Sequence, residues 1–259
     1  MESSRRSFLK IAGISALGLG AKPVLDVMAS SGEAAKPKTM RNPNALLAKR
    51  WGMVIDTRKL KTEEDLKPLI DICNKIHNIP HFDNPHHEIK WIWSEEFEND
   101  FPMQEASFLD DRLKHMPFLT LCNHCNQPPC VRVCPTKATF KREDGIVMMD
   151  YHRCIGCRFC MAACPYGSRS FNFRDPRPFI KKLYTKYPTR TKGVVEKCDF
   201  CAERLAVGEM PACVEVSKGA LAFGDLDDPN SEVRKLLRDN YTIRRKPALG
   251  TGPSVFYIV

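Results

Sequence analysis

The chain has 259 residues, 43% hydrophobic and 27% charged, a length that fits one large domain or two small ones. Its net charge of +9 comes from scattered basic residues with no aromatic-basic motif of a nucleic-acid module, which sets nucleic-acid binding aside. Twelve cysteines are far more than an ordinary domain carries, so a covalent or metal framework is expected to share the work of the core.

The chain opens on Ser4-Arg5-Arg6-Ser7-Phe8-Leu9-Lys10, followed by an apolar run from Ile11 to Ala21. A charged start with a short apolar middle reads as a signal peptide, and this run is too short to cross a bilayer. The paired arginines make it a twin-arginine (Tat-type) signal, of the kind that exports proteins already folded around their cofactors. A basic flexible tail is the plainer alternative. Cleavage after Ala21 or Ala35 would each fit, as would retention as an anchor. Signal and linker occupy 1–35, and Ser30 to Asn44 is small, polar and Pro-containing, as linkers are. No later stretch reaches about 18 apolar residues, so the mature chain is not expected to span a membrane.

Trp51 to Asp56 is an apolar run that predicts a strand. When Asp56 is laid on Asp150 of the later segment Ile146 to Cys154, Leu60 falls on Cys154, which suggests an internal repeat whose ligands have been lost here. Glu63 to Ile76 has helical spacing, with Leu66, Leu69, Ile70, Cys73 and Ile76 on one face. Cys73 is the only cysteine in the first 121 residues. Alone on an apolar face it would be a small hydrophobe; the cysteine arithmetic below makes it a ligand. Pro80 to Pro117 reads as an insertion rich in acidic and aromatic residues, with His81, His86, His87, Trp91 and Trp93, and predicts a packed cover or a partner-docking surface. Its three histidines lack a second ligand set at motif spacing, which argues against a metal site.

Cys122-Asn-His-Cys125-Asn-Gln-Pro-Pro-Cys130-Val-Arg-Val-Cys134-Pro135 follows, and then Cys154-Ile-Gly-Cys157-Arg-Phe-Cys160-Met-Ala-Ala-Cys164-Pro165. The second has the C-x2-C-x2-C-x3-C-P spacing of bacterial ferredoxins, in which three close thiolates serve one cubane and the fourth reaches its neighbour. Short steps in a tight loop aim successive sulfurs at successive irons, with Gly156 relieving the crowded backbone and Pro165 turning the chain away. Zinc prefers two separated ligand pairs, and four cysteines this close could not form two unstrained disulfides. Arg174 to Lys197 reads as a solvated basic loop with two short helical turns at most. Cys198-Asp-Phe-Cys201 and Cys213 then form a further half-site, with Ser217 standing where Cys134 stands in the first run.

Four half-sites can thus be traced, and in a ferredoxin pair each cluster takes three cysteines from one half and the fourth from the other. The central halves give one [4Fe-4S] cluster on Cys122, Cys125, Cys130 and Cys164, and a second on Cys154, Cys157, Cys160 and Cys134. The outer halves give a third on Cys198, Cys201, Cys213 and Cys73. A fourth would need cysteines around Leu60 and at Ser217, and all are missing. Three clusters use all twelve cysteines.

These motifs, with Lys197-Cys198-Asp-Phe-Cys201-Ala-Glu-Arg204, Phe223-Gly-Asp-Leu-Asp-Asp-Pro229 and Leu249-Gly-Thr-Gly-Pro253-Ser-Val-Phe-Tyr257, resemble the iron-sulfur subunits of membrane-bound oxidoreductases, including those of polysulfide, tetrathionate and formate-dependent nitrite reduction. The resemblance covers residues 50 to 259. Within that family the missing ligands, Tat-type start and Trp-rich insertion are most similar to the DsrO group, exported ferredoxin-like subunits of DsrMKJOP complexes, with the HmeA group a close relative. It implies an NrfD-type membrane subunit that interacts with quinone, a multihaem cytochrome c, and a b-type cytochrome with a cytoplasmic iron-sulfur subunit as partners. It also implies a location on the extracytoplasmic (periplasmic) face of the membrane.

The expected architecture is α+β, with two ferredoxin-like modules in pseudo-repeat. A degenerate half-site with Cys73 plus the insertion would occupy 45–117, a central two-cluster module 118–175, and an outer half-site with the C-terminal tail 176–259. Apolar neighbours Ile155, Phe159, Met161, Phe200 and Val214 are expected to exclude water, and His124 to sit outside the ligand set or at the surface. The expected role is a wire for single electrons rather than an enzyme, since no nucleophile-base constellation or nucleotide-phosphate loop is found. The alternative is an enzyme subunit with a substrate site at the vacant fourth position near Ser217. Perturbed ionisable groups there would favour the enzyme; an apolar plug by Leu60 would favour the wire.

Overall fold

A computed structural model describes residues 42–102, 108 and 110–259. The twin-arginine start, its apolar run and the linker up to residue 41 lie outside the described residues. The predicted strand β1 (Trp51–Asp56) is buried along its whole length. Beyond it come β2 (Ile92–Glu96), β3 (Pro117–Leu121), β4 (Thr139–Lys141), β5 (Val147–Met149), β6 (Ser170–Phe171), β7 (Val195–Glu196), β8 (Leu221–Asp225), β9 (Thr242–Ile243) and β10 (Val255–Ile258).

The main sheet has the order β8-β1-β10-β9, with β1 antiparallel to β8 and parallel to β10. Because successive side chains in a strand face opposite ways, Trp51, Met53, Ile55, Phe223, Val255 and Tyr257 enter the main core. Val54, Ala222 and Ile258 face the other side, against Val233 of the helix Glu232–Asp239. Both faces being covered explains why β1 reads as a continuous apolar run rather than an alternating one. Gly52 is required by close approach, since a Cβ there would lie 2.5 Å from Leu226 Cγ. The other strands form two-stranded antiparallel ribbons: β2 with β3, β4 with β5, and β6 with β7.

Helix α1 spans Glu63–Ile76, and Thr62 and Asp65 close its first turn as a capping box. Leu66, Leu69, Cys73 and Ile76 are buried, and Ile70 is half-buried. This amphipathic face packs on the short helix Ala212–Val216, which carries Cys213.

Described residues of the inserted segment pack into the core. Trp91 is buried, donates Nε1–H to Glu196 Oε2 at 2.8 Å and stacks on His77 with centroids 4.4 Å apart. Ile89, Ile92, Phe97 and Phe101 join the same core, while His81 and His86 are exposed. None of the three inserted histidines belongs to a metal-ligand group among the described residues.

The basic loop differs from its expected solvated form. It holds one 3-10 turn, Arg177–Phe179, but Arg190 and Lys197 are fully buried. Arg190 pairs with Glu196 at 2.6 Å and donates to the backbone carbonyls of His77 and Asn78. A buried guanidinium is tolerated once a carboxylate and carbonyls replace its water, a condition that residue charge alone does not reveal. Glu196→Ala should therefore strand Arg190 and destabilise the assembled protein by about 3–5 kcal/mol. The denaturant midpoint of the purified protein measures this; a loss under about 1 kcal/mol would show that the pair does not hold the loop.

Candidate metal centres

The short helices of the cysteine runs share one plan. Pro129–Arg132, Phe159–Ala162 and Ala212–Val216 each hold a cysteine at their second position: Cys130, Cys160 and Cys213. The first C-x2-C step of each run also places one residue in the left-handed region just before its second cysteine. These are His124 at φ 41°, Gly156 at φ 71° and Phe200 at φ 59°. That conformation curls the turn so that backbone N–H groups converge on sulfur. Only Gly156 is a glycine, and it is needed twice over: a Cβ there would lie 2.5 Å from Gly193 O.

All twelve cysteines are free thiols, and they fall into three quartets. Cys122, Cys125, Cys130 and Cys164 line one cavity with Asn123 and Arg169. Cys134, Cys154, Cys157 and Cys160 line another with Thr139 and Met149. The third quartet is placed by its electrostatic neighbours. Its thiols sit where α1 meets the Cys198–Cys201 turn and the Cys213 helix, and the Cys73 thiol interacts with those of Cys198 and Cys213, as Cys201 does with Cys213 and Cys73. Neighbouring quartets are near enough to influence each other electrostatically, Cys122 acting on Cys198 and Cys130 on Cys160. The order is outer, first central, second central.

Burial dominates the thiol chemistry. It raises the pKa of Cys73, Cys198 and Cys201 well above the ordinary thiol value, and pushes Cys125 and Cys213 up to about 12. Neighbouring sulfurs add to the effect at Cys73, Cys125 and Cys201, because a second thiolate in a dry site is repelled by the first. At half-buried Cys134 the balance reverses: burial is outweighed by hydrogen bonds, including N–H groups of Thr139, Thr136 and Ala138, and the pKa falls. Backbone N–H groups also point at Cys164, from Tyr166 and Ser168, and at Cys198, from Phe200.

These donor sets fit a polynuclear thiolate-bound group. Tetrahedral zinc with Zn–S bonds near 2.3 Å needs sulfurs about 3.8 Å apart. Among the described residues no three cysteine sulfurs lie within 4.8 Å of one another; the one group that tight is His77, Cys201 and Glu203. The quartets are too open for a single ion. Several buried polar atoms nearby have no protein partner: both amide atoms of Asn123, His124 Nε2 and Arg169 Nη2. They suit a group that brings its own acceptors and positive charge to the sulfurs.

His124 is not at the surface. It is buried, its ring stacks on Phe200 with centroids 3.7 Å apart, and its Nδ1 accepts from Val147 N–H at 3.1 Å. Burial and the nearby Lys197 cation hold its pKa well below the usual value, so the imidazole is neutral. The stack ties the Cys122–Cys125 turn to the Cys198–Cys201 turn. Of the expected water-excluding residues, Phe200 is buried, and Met161 and Val214 are half-buried. Ile155 and Phe159 are instead 66% and 59% exposed, because a loop whose sulfurs point inward turns its intervening side chains out.

The residues that stand where a fourth cluster's ligands would be are engaged elsewhere. Leu60 is part of the main core. Ser217 is buried, donates to Val214 O at 2.7 Å and accepts from Leu221 N–H at 3.1 Å, so its hydroxyl is satisfied by its own loop. Sequence reasoning passed over His77, which lies 3.5 Å from Cys73 Sγ and 3.2 Å from Glu203 Oε1. Its position four residues after Cys73 on α1 was the available signal. Arg169, five residues past Cys164, was also passed over.

A 4Fe-4S dicluster domain signature matches residues 114–176. Over 98% of its length the chain is 42% identical to the Hdr-like menaquinol oxidoreductase iron-sulfur subunit 1 of Archaeoglobus fulgidus, covering 97% of that protein. A subunit of the tetrathionate reductase of Salmonella typhimurium is 33% identical over the full chain, with 89% of that protein covered. A polysulfide reductase component from Wolinella succinogenes is 45% identical over 53% of this chain and 64% of its own length. With the quartets described above, these likenesses make the chain a member of the 4Fe-4S iron-sulfur subunit family of membrane oxidoreductases.

Proposed function

We propose that the chain is an electron-transfer subunit with three [4Fe-4S] clusters, held by Cys122, Cys125, Cys130 and Cys164, by Cys134, Cys154, Cys157 and Cys160, and by Cys73, Cys198, Cys201 and Cys213. The observation that carries this is the gathering of all twelve cysteines into three adjoining quartets. When bound, each cubane supplies a one-electron couple whose potential depends on hydrogen bonds to sulfur, net charge and solvent exposure. The chain's own contribution is to fix the thiolates, aim N–H groups at them and keep water away. The outer quartet is the most enclosed, with all four cysteines buried, whereas Cys157 of the second central quartet is exposed. A wire running from an enclosed end to an exposed one fits relay between two partners.

In this reading the 45–117 segment and the 176–259 segment share the outer cluster, and 118–175 holds the two central ones. The partners are an NrfD-type, quinone-interacting membrane subunit and a multihaem cytochrome c, with a b-type cytochrome and a cytoplasmic iron-sulfur subunit in the same DsrMKJOP-like complex of sulfur metabolism. The protein acts at the extracytoplasmic face after Tat-type export. Similarity to a menaquinol oxidoreductase subunit and to a polysulfide reductase component supports the quinone and sulfur links. No helix among the described residues is long and apolar enough to cross a membrane, as a peripheral subunit requires.

Iron and acid-labile sulfide on anaerobically purified protein should give about twelve irons per chain, falling to about eight in Cys73→Ala. A wild-type value already near eight would leave the outer quartet empty and end the three-cluster reading. Ser217→Ala should leave the iron count unchanged and cost about 0.5–1.5 kcal/mol, the worth of a satisfied hydrogen bond. Loss of about four irons in that variant would instead make Ser217 a ligand.

A further inference from the structure

Among the described residues four lysine or arginine side chains are buried: Arg169, Arg190, Lys197 and Arg245. Arg190 has Glu196 at 2.6 Å and Arg245 has Asp100 at 2.7 Å. Lys197 gives its ammonium to the carbonyls of Val147 and Cys198. Arg169 has no carboxylate within ion-pair distance among the described residues, and no carbonyl either. Its Nη1 donates to Thr139 Oγ1 at 3.2 Å and Met149 Sδ at 3.3 Å, and its buried Nη2 has no partner.

A guanidinium only 5% exposed and without a carboxylate is costly unless another counter-charge lies close by, and the Cys130 and Cys160 sulfurs are beside it. The place to look is set by its neighbours. Arg169 itself lines the cavity of Cys122, Cys125, Cys130 and Cys164. The two side chains it holds, Thr139 and Met149, line the cavity of Cys134, Cys154, Cys157 and Cys160. Its guanidinium therefore forms part of the wall between the two central quartets, facing Cys130 and Cys122 on one side and Cys160 on the other. A guanidinium stays protonated at any ordinary pH, so the charge in this wall is fixed.

We propose that Arg169 is the shared counter-charge of the two central sites, a positioning residue that holds both of their reduction potentials up together while leaving the outer site alone. This rests on the three-cluster reading above. Four thiolates around a cubane carry net negative charge, and one more electron deepens it, so a fixed cation at the wall stabilises the reduced form of either neighbour. A cation belonging to one site would tune that site only. Placed between two, it keeps their potentials in step, as transfer along a row requires.

The test is EPR-monitored redox potentiometry of anaerobically purified Arg169→Gln beside wild type, with the outer-site signal identified by its absence in Cys73→Ala. Arg169→Gln should disfavour reduction of both central sites at least tenfold, about 59 mV for a one-electron couple, with the outer potential unmoved. Full iron content with unchanged central potentials, or an equal fall at all three sites, overturns the proposal. Should Arg169→Gln fail to load iron at the central sites, Arg169→Lys decides, because it keeps the charge and loses the fork. Loading of that variant with both central potentials within about threefold of wild type in the reduction equilibrium supports the counter-charge. Failure to load, or a tenfold fall despite the retained charge, overturns it in favour of a purely structural guanidinium. Wild-type protein without three distinct cluster signals would instead count against the three-cluster reading itself.

Discussion

Sulfur that is both buried and negatively charged is the constraint on which the rest of this structure depends. Thiols packed in fours, mostly out of water, hold their protons tightly, and two thiolates in one dry cavity repel each other. Positive charge and directed N–H groups are the only remedies. The chain provides the second through left-handed turns at His124, Gly156 and Phe200, and part of the first through Arg169 and Lys197. The remainder has to come with the bound group, which is why stability and cofactor are expected to be inseparable here.

The two regions of the molecule meet that constraint differently. Around β1, β8, β9 and β10 the core is ordinary: an alternating sheet with apolar packing on both faces. Around the central quartets the strands are two or three residues long and the helices four, too short to persist alone in water. In the proposed reading, bound clusters would cross-link there, through the sulfurs, elements that could not otherwise stay together. The outer quartet lies at the junction, with Cys73 supplied by α1 and the other three by the turn and helix opposite.

Much of the site was legible because ligand spacing is a local property of the chain. The C-x2-C steps, strand β1, helix α1 and the isolation of Cys73 on an apolar face are all short-range patterns, and in the fold the cysteines of different runs come to lie near one another. Burial of charge was not legible. Arg190, Lys197 and Arg169 look like solvated side chains until Glu196, a pair of carbonyls and two sulfur-lined cavities stand beside them, and those neighbours come from distant segments. The outward turn of Ile155 and Phe159 was hidden for a related reason: apolar residues in a motif read as core unless the direction of the loop is known. Trp91 could be read as cover or docking surface, and its burial, its stack on His77 and its bond to Glu196 place it in the core.

The central position of β1 in its sheet has a consequence for biosynthesis. Residues 51–56 are among the first of the described residues to leave the ribosome, yet their partners on either side, residues 221–225 and 255–258, are among the last. The first strand therefore waits, unpaired and apolar, at least until residues 221–225 have been made. The central quartets can assemble as soon as residue 164 has emerged, the outer one only after residue 213, and the sheet only once residues 255–258 have followed. The fold closes from the middle outward, and loss of those few late residues would remove the strand that seals its beginning.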